Sequence, residues 1–161
     1  MNETTLNDIE RCFGGAIPTV LATAGADGTP NVTYLSRAHR VDDDRIALSN
    51  QFMSKTARNL ATNPVASLLL MDPITHDEFR LTLRYERTER RGPTFERLRA
   101  DVEALASLQG MQGVFRLRAA DVFRVLDIEQ LEPDPAGTTI APAPTRVPAA
   151  DIDALARLSA A

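Results

Sequence analysis

The residues with the clearest chemical use lie in the segment 49–64, where a β-prone run ends and a polar turn leads into a short helix. Ser54 is predicted to be the N-cap of that helix, since its hydroxyl can accept a free amide N–H of the first turn. Lys55 follows directly, Arg58 comes one turn later, and Asn63-Pro64 is predicted to end the helix. Amide donors, the positive end of a helix and nearby cations are what a phosphate group requires. The segment therefore predicts a phosphate-binding turn.

Lys55 is the only lysine among the 18 Lys and Arg residues of the chain. In a composition so biased towards arginine, a lone ammonium group at a predicted anion site is a candidate ligand contact. The alternative interpretation is a solvated lysine at the start of a surface helix. A Ser-Lys pair at a helix start is a weak motif by itself, and spacing alone favours the solvated lysine.

The composition limits the classes of function. The chain has 161 residues and a net charge of −4, which fits one domain with a tail and argues against general binding to nucleic acid or to an anionic membrane. Its one cysteine, Cys12, excludes an internal disulfide and is expected to be a buried, inert thiol. No signal peptide and no apolar run of transmembrane length is evident, so a cytoplasmic location is expected.

Alternation of apolar and polar residues predicts a series of strands with short connections. Asp27-Gly28, between the first two, is a strong hairpin signal. The run Val65–Met71 is almost entirely apolar, which predicts a strand buried on both faces. The predicted strands cover 18–23, 31–39, 45–49, 65–71, 79–88, 114–117 and 122–128, and the predicted helices cover 4–13, 54–63 and 94–108. This order predicts a mainly β protein with helices, built as a small antiparallel barrel.

The composition changes at residue 131, where a stretch rich in Pro and Ala begins. We predict a domain over 1–130, a linker over 131–148, and the start of a helix over 149–161 that leads to a missing or separate domain. Truncation before Pro133 is expected to leave the barrel intact, because the tail lacks the apolar pattern needed to join a core.

Three segments, in this order along the chain, resemble the pyridoxamine 5′-phosphate oxidase-like family of FMN-binding split barrels. They are Asp27-Gly28-Thr29-Pro30, Leu48-Ser49-Asn50, and the stretch from Ser54-Lys55 to Asn63-Pro64. The resemblance covers roughly residues 17–129 and implies a split β-barrel of the antiparallel Greek-key type, FMN as cofactor, and a homodimer. The residues that match the family's FMN-binding pattern by position are Ser49, Asn50, Ser54 and Lys55.

Other positions of that pattern carry different residue types. Thr56 stands where the second basic residue of the helix start is found, Thr33 replaces an arginine of the second strand, and Ala38 replaces the lysine that closes it. Thr33 and Thr56 remain candidate cofactor contacts. The nearby cations that can take over the basic role are Arg37, Arg40 and Arg58. The arginine- and histidine-containing C-terminal signature of true pyridoxamine phosphate oxidases is absent, so oxidation of B6 phosphates is not expected.

The resemblance implies a flavin-dependent oxidoreductase, in which the isoalloxazine ring performs the redox chemistry and no protein general base is required. No catalytic residue is therefore predicted. A second interpretation is a non-catalytic ligand-sensing or dimerisation module, because residues 80–129 also resemble the barrel half-domains found ahead of GAF domains in bacterial signalling proteins. A third is haem binding, for which only His39 and His76 could act as ligands. No metal site is predicted, since the acidic triplet 42–44 is typical of a solvated turn.

Overall fold

The computed structural model describes residues 4–15 and 17–132. The strands are β1 Thr19–Ala24, β2 Pro30–Leu35, β3 Ala38–Arg40, β4 Arg45–Asn50, β5 Val65–Met71, β6 Glu78–Glu89 and β7 Ala119–Leu131. The helices are α1 Ser54–Thr62 and α2 Pro93–Leu108, with a 3-10 helix over Glu10–Gly14. None of the helices in this described part is long and apolar enough to cross a membrane. Beyond Glu132, the predicted linker and final helix lie outside the described residues.

One seven-stranded antiparallel sheet runs in the order β2-β1-β5-β6-β7-β4-β3. The predicted Asp27-Gly28 hairpin joins β1 to β2 and pairs Thr19 with Leu35. β6 and β7 form the longest ladder, which shifts register after Thr82 and again after Tyr85. Such irregularities increase the local bend and twist of a sheet. The sheet curls into a half-barrel, which confirms the predicted split-barrel fold class.

The concave side of the sheet is filled by aliphatic side chains that alternate along the strands. On β6, Leu81 and Leu83 are fully buried while Arg80 and Arg84 face outward, as the alternation predicted. Burial of one such leucine side chain contributes about 1.5–3 kcal/mol. Helix α2 forms where a helix was predicted over 94–108, and its buried residues Leu98, Val102 and Ala106 recur every four positions, which places them on one apolar face.

The N-terminal segment differs from the predicted helix over 4–13. Turns precede the 3-10 helix Glu10–Gly14, so that no α-helix forms in residues 4–15. The buried side chains are Leu6, Ile9 and Cys12, a spacing of three that matches the three residues per turn of a 3-10 helix. Phe13, at the end of the predicted helix, is only half-buried.

Strand β5 lies where it was predicted, but the prediction that both its faces are buried was wrong. Leu68 and Leu70 are buried in the core, whereas Val65 and Leu69 are 40% and 37% exposed on the opposite face. Within the described residues, this apolar strand therefore leaves part of its outer face exposed.

Two other predicted strands are corrected. The strand predicted over 31–39 is interrupted, because β2 ends at Leu35 and β3 begins at Ala38. The strand predicted over 114–117 does not form, and a single strand, β7, begins at Ala119. Its neighbour β4 ends at Asn50, whose carbonyl accepts the Arg118 N–H at 2.9 Å. Residues 114–117 therefore have no neighbouring β4 residues with which to continue that ladder.

Cys12 is buried, and this burial is the main reason that the pKa of its thiol rises to about 11. We expect the folded protein to resist iodoacetamide at pH 8, where only about one thiol in a thousand is ionised. The raised pKa stabilises the fold below pH 9, and this contribution is lost as the pH rises from 9 towards 11. Mass spectrometry after timed alkylation, with and without urea, checks the expectation, which equal labelling of both samples would contradict.

Candidate functional site

A cavity of about 410 Å³ opens between the end of β2, the β4–α1 connection and the C-terminal end of α2. We call it the main cavity, and its volume is within the usual range for small-molecule sites. The bulky side chains in its wall include Tyr34, Phe52, Met53, Leu105 and Phe115, and the polar ones are Thr33, Ser36, Ser49, Gln51 and Gln109. A wall that is aromatic on one part and hydrogen-bonding on another suits a flat heterocyclic ligand.

One wall of the main cavity is tied together by polar side chains. The Ser36 and Ser49 hydroxyls lie 3.3 Å apart, and Gln51 Nε2 donates to Ser36 Oγ. The Arg37 N–H donates to Ser49 Oγ at 3.1 Å, and the Ser49 N–H donates to the Arg37 carbonyl at 3.0 Å. The interruption between β2 and β3 is therefore clamped to the end of β4, which fixes the position of this wall.

Helix α1 begins where this wall ends. Its N-cap is Met53, without a side-chain cap, and Ser54 is the first helical residue, so the predicted N-cap role of Ser54 was wrong. The Met53 side chain is buried in the core. The first helical bond joins the Ala57 N–H to the Met53 carbonyl at 2.8 Å. The amides of Ser54, Lys55 and Thr56 consequently have no acceptor within the helix.

The cationic side chains of α1 are exposed. Lys55 and Arg58 both face solvent, as does Ser54. Lys55 lies in the field of Asp27, whose carboxyl pKa is held below its ordinary value chiefly by hydrogen bonds from Thr29 and only slightly by the Lys55 charge. Within residues 4–15 and 17–132 the ammonium group makes no ion pair, so it is available to an anion at the start of α1.

A buried polar cluster attaches α1 to the β1–β2 hairpin. Asn31 Nδ2 donates to Thr56 Oγ1 at 3.1 Å and to Thr23 Oγ1 at 3.3 Å. Asn59 Nδ2 donates to the same Thr23 hydroxyl at 3.1 Å. Thr23, Thr56 and Asn59 are all less than 10% exposed. Buried polar groups that satisfy one another in this way fix a single orientation of the helix, and here they hold its first turn beside the main cavity.

A second polar cluster links three strands behind the β4–α1 connection. Asn50 Nδ2 donates to Asp121 Oδ2 at 2.8 Å, and Thr88 Oγ1 donates to Asp121 Oδ1 at 2.5 Å. The Thr88 hydroxyl is in turn 2.7 Å from the Tyr85 hydroxyl. Asp121 is only 3% exposed, so its carboxylate depends on these donors. The cluster fixes the position of Asn50, whose neighbours in the chain, Ser49 and Gln51, both line the main cavity.

The residues predicted from sequence separate into three groups. Thr33 and Ser49 line the main cavity. Ser54, Lys55 and Arg58 lie at the start of α1, on its exposed surface. The side chains of the remaining three residues bond elsewhere in the protein: Asn50 to Asp121, Thr56 to Asn31, and Arg37 to the Gly14 carbonyl.

Several cavity residues were not predicted. Leu105, Gln109 and Phe115 come from the end of α2 and the following loop, far along the chain from the segment 49–64. No local pattern marks them, because their role depends on how α2 packs back over the sheet. Gln51 and Ser36 could have been suspected, since each is a polar residue next to a strand end.

The two histidines lie in different parts of the fold. His39 lies half-buried on β3, and His76 lies exposed in the β5–β6 turn with a positive φ of 63°. Among the described residues no group of three or more metal-binding side chains comes together. The Asp42–Asp44 carboxylates instead pair with guanidinium groups, including those of Arg40 and Arg45.

The curled antiparallel sheet and the cavity at the start of α1 define a split-barrel protein. The model of the pyridoxamine 5′-phosphate oxidase family matches residues 8–146, and the chain belongs to that family. No curated protein gives a significant match to the chain.

Solved structures with the same fold are distant in sequence. An FMN-binding protein from Syntrophomonas wolfei subsp. wolfei is 18% identical, with a TM-score of 0.65 over 78% of this chain and 84% of that one. An F420 reductase is 18% identical, with a TM-score of 0.55 over 80% and 98% of the two chains. HutZ, the haem storage protein of Vibrio cholerae, is 20% identical, with a TM-score of 0.50 over 80% and 90%. At these identities the likeness extends to the fold.

Proposed function

We propose that the chain binds FMN in the main cavity and acts as a flavin-dependent oxidoreductase. The observation that carries this proposal is the continuity of the site: the cavity wall at Phe52 and Met53 leads directly into the first turn of α1, with its free amides. A flat ring system and a phosphate group attached to it can therefore be bound by one continuous stretch of chain. Family membership supports the proposal.

The residues present fit the two ends of FMN. The isoalloxazine ring suits the part of the cavity bounded by Tyr34, Phe52 and Leu105, because aromatic and aliphatic surfaces bind a flat apolar face. The phosphate suits the first turn of α1, where amides, the Ser54 hydroxyl and the Lys55 ammonium are available.

Bound FMN supplies the electron-transfer chemistry, and the chain's own residues bind and orient it. Ser36, Ser49 and Gln51 present hydrogen-bonding groups along one edge of the cavity and keep that edge rigid. Phe52 reaches out from the rim, 70% exposed, where the Arg118 guanidinium lies 5.4 Å from its ring centroid. We assign no catalytic residue, and we do not propose oxidation of pyridoxamine phosphate.

The absorption spectrum of the purified protein, before and after addition of FMN, tests this function. We expect flavin bands in the bound fraction after excess FMN is removed by gel filtration. A Soret band instead would favour the haem interpretation. Neither chromophore being retained would favour the sensing-module interpretation and would contradict the proposal.

We further propose that the protein is a homodimer, formed through the outer face of β2, β1 and β5. Tyr34, Val20 and Leu69 are register neighbours across these three strands. Tyr34 is 76% exposed and Val32, on the same face of β2, is 62% exposed. A contiguous apolar surface of this kind marks an interaction site. It reaches the rim of the main cavity, so that a second copy would also cover the cavity mouth.

Light scattering is expected to return a dimer for the wild type and a monomer for Tyr34→Arg. The charge would be buried in an interface of about 1,600 Å², where an unpaired guanidinium is costly. Ile74→Arg is the matched control, because Ile74 is 72% exposed and does not line the main cavity. A monomeric wild type at micromolar concentration, or equal disruption by both substitutions, would contradict the proposed interface.

The cytoplasmic location stays a prediction.

A further inference from the structure

A second cavity, of about 270 Å³, lies between the 3-10 helix, β3 and α2. We call it the arginine cavity, because three guanidinium groups reach it, those of Arg37, Arg40 and Arg97. Glu10 and Asp101 provide its carboxylates, and the half-buried His39 also lines it. Its function is not explained by the proposed flavin site.

Some of these charged groups form ion pairs with other described residues, and some do not. Arg40 is fully engaged: its guanidinium pairs with Asp43 at 2.7 Å and with Glu10 at 3.2 Å, and it donates to the Asp42 carbonyl at 3.0 Å. Arg97 and Asp101 make no ion pair within the described part of the chain. Because Arg40 pairs with both Glu10 and Asp43, the charged groups left without an ion pair among the described residues are the Arg37 and Arg97 guanidinium groups and the Asp101 carboxylate.

The Arg37 side chain also has a hydrogen-bond donor without a partner among the described residues. Its Nη1 donates to the Gly14 carbonyl, but its Nε is buried without an acceptor among residues 4–15 and 17–132. The guanidinium lies directly against Gly15, where an added Cβ would fall 1.7 Å from Nη1. A buried N–H without an acceptor is costly. Within the described ranges, Arg37 therefore retains hydrogen-bonding capacity that no side chain or carbonyl uses.

The charged groups of the arginine cavity change the pKa of His39. Burial lowers the pKa of its imidazole below the ordinary value, and the Arg97 charge lowers it further. Asp101 and Glu10 act in the opposite direction, and Arg37 adds to the lowering. An anion placed between Arg37 and Arg97 would oppose the effect of these two positive charges and raise the pKa of His39.

We propose that the arginine cavity binds a small oxyanion, the phosphate or carboxylate group of a metabolite, between Arg37 and Arg97 with His39 beside it. Guanidinium groups suit these planar or tetrahedral oxyanions because they donate in a fixed fork. The cavity volume is below the usual range for whole drug-sized ligands, so it takes a small anion or the charged end of a larger one.

The proposed anion site adjoins the main cavity. Gly14 lines the arginine cavity, and its neighbour Gly15 lines the main cavity. The Arg37 backbone N–H holds Ser49 Oγ in the main cavity wall, while the Arg37 side chain reaches the arginine cavity. The anion site does not depend on FMN being the occupant of the main cavity.

The two histidines allow a direct test by nuclear magnetic resonance on the full chain. The pKa of each imidazole is measured in chloride, and then with sulfate or acetate replacing chloride at constant ionic strength. We expect sulfate or acetate to raise the pKa of His39 saturably, by roughly one pH unit. His76, exposed in its turn, is the internal control and should not respond. A response to sulfate alone supports a phosphate ligand, a response to acetate alone supports a carboxylate, and both together support the shared oxyanion chemistry.

Two variants on the same helix sharpen the result. Arg97→Gln should raise the pKa of His39 in chloride, because a positive neighbour is removed. The same substitution should weaken the affinity for the added anion, measured from the saturation of the His39 response, by about tenfold or more. Arg99→Gln should behave like wild type, since Arg99 is exposed and pairs with Glu96 at 2.5 Å. The proposal is overturned if His39 does not respond, if His76 moves with it, or if Arg99→Gln loses the response equally.

Discussion

Asp121→Ala is expected to lower the free energy of unfolding by about 2–4 kcal/mol. The carboxylate accepts hydrogen bonds from Asn50 and Thr88, and these two donors would lose their acceptor when it is removed. Because Asp121 is 3% exposed, water cannot readily take its place. Urea unfolding followed by circular dichroism measures the loss.

Asp127→Ala is the control, since Asp127 lies on the same strand and is exposed. It should change stability by less than about 0.5 kcal/mol. Asp121→Asn should fall between the two, because it keeps one acceptor oxygen and replaces the other with a donor. If Asp121→Ala is as stable as Asp127→Ala, the cluster does not anchor β4 to β7 and β6.

Lys55→Ala is expected to weaken FMN binding at least about tenfold. A charge-assisted hydrogen bond to a phosphate contributes roughly 1.5–3 kcal/mol, and 1.4 kcal/mol is a factor of ten in affinity. Riboflavin lacks the phosphate and should bind both proteins nearly equally. Fluorescence titration of each flavin into each protein gives the comparison. The fold should not suffer, because Lys55 is exposed.

Lys55→Arg should retain part of the affinity, since the charge remains while a planar fork replaces a point donor. Arg58→Ala tests whether a cation one turn further along α1 also contributes. Equal FMN affinities for wild type and Lys55→Ala would show that Lys55 does not contact the phosphate. Lys55 would then be a solvated surface residue, which is the simpler interpretation of its position in the sequence.

The fold could be predicted where the pattern of apolar and polar residues within one segment decides the structure of that segment. The Asp27-Gly28 hairpin, the alternating β6 and the apolar stripe of α2 all depend on near neighbours in the chain. The errors arose where the structure of a segment depends on contacts with residues that are distant in the sequence. Residues 114–117 have strand-like composition but no continuation of the β4 ladder, and β5 has an apolar outer face that its own chain leaves half exposed.

The candidate site was only partly accessible to sequence. Ser49 and the start of α1 could be located because they occupy one short segment with recognisable residue types. The Asp121 cluster and the contribution of Leu105 could not, since each joins residues more than 50 positions apart. The orientation of Arg37 was also beyond sequence, because a side chain at a strand interruption can turn towards either cavity.

The pairing of β4 has a consequence for how the protein is made on the ribosome. Ser49 of β4 pairs with Ala120 of β7, which is synthesised about 70 residues later. This pairing of β4 therefore cannot form until β7 has left the ribosome. Until then the edge of β4 that will pair with β7 is unpaired, since the short ladder with β3 occupies the opposite edge, and unpaired edges are prone to wrong associations. The main cavity is also incomplete, because α2 supplies part of its wall. A ligand of this cavity therefore cannot guide the early folding of the nascent chain, and must be captured after β7 has closed the ladder.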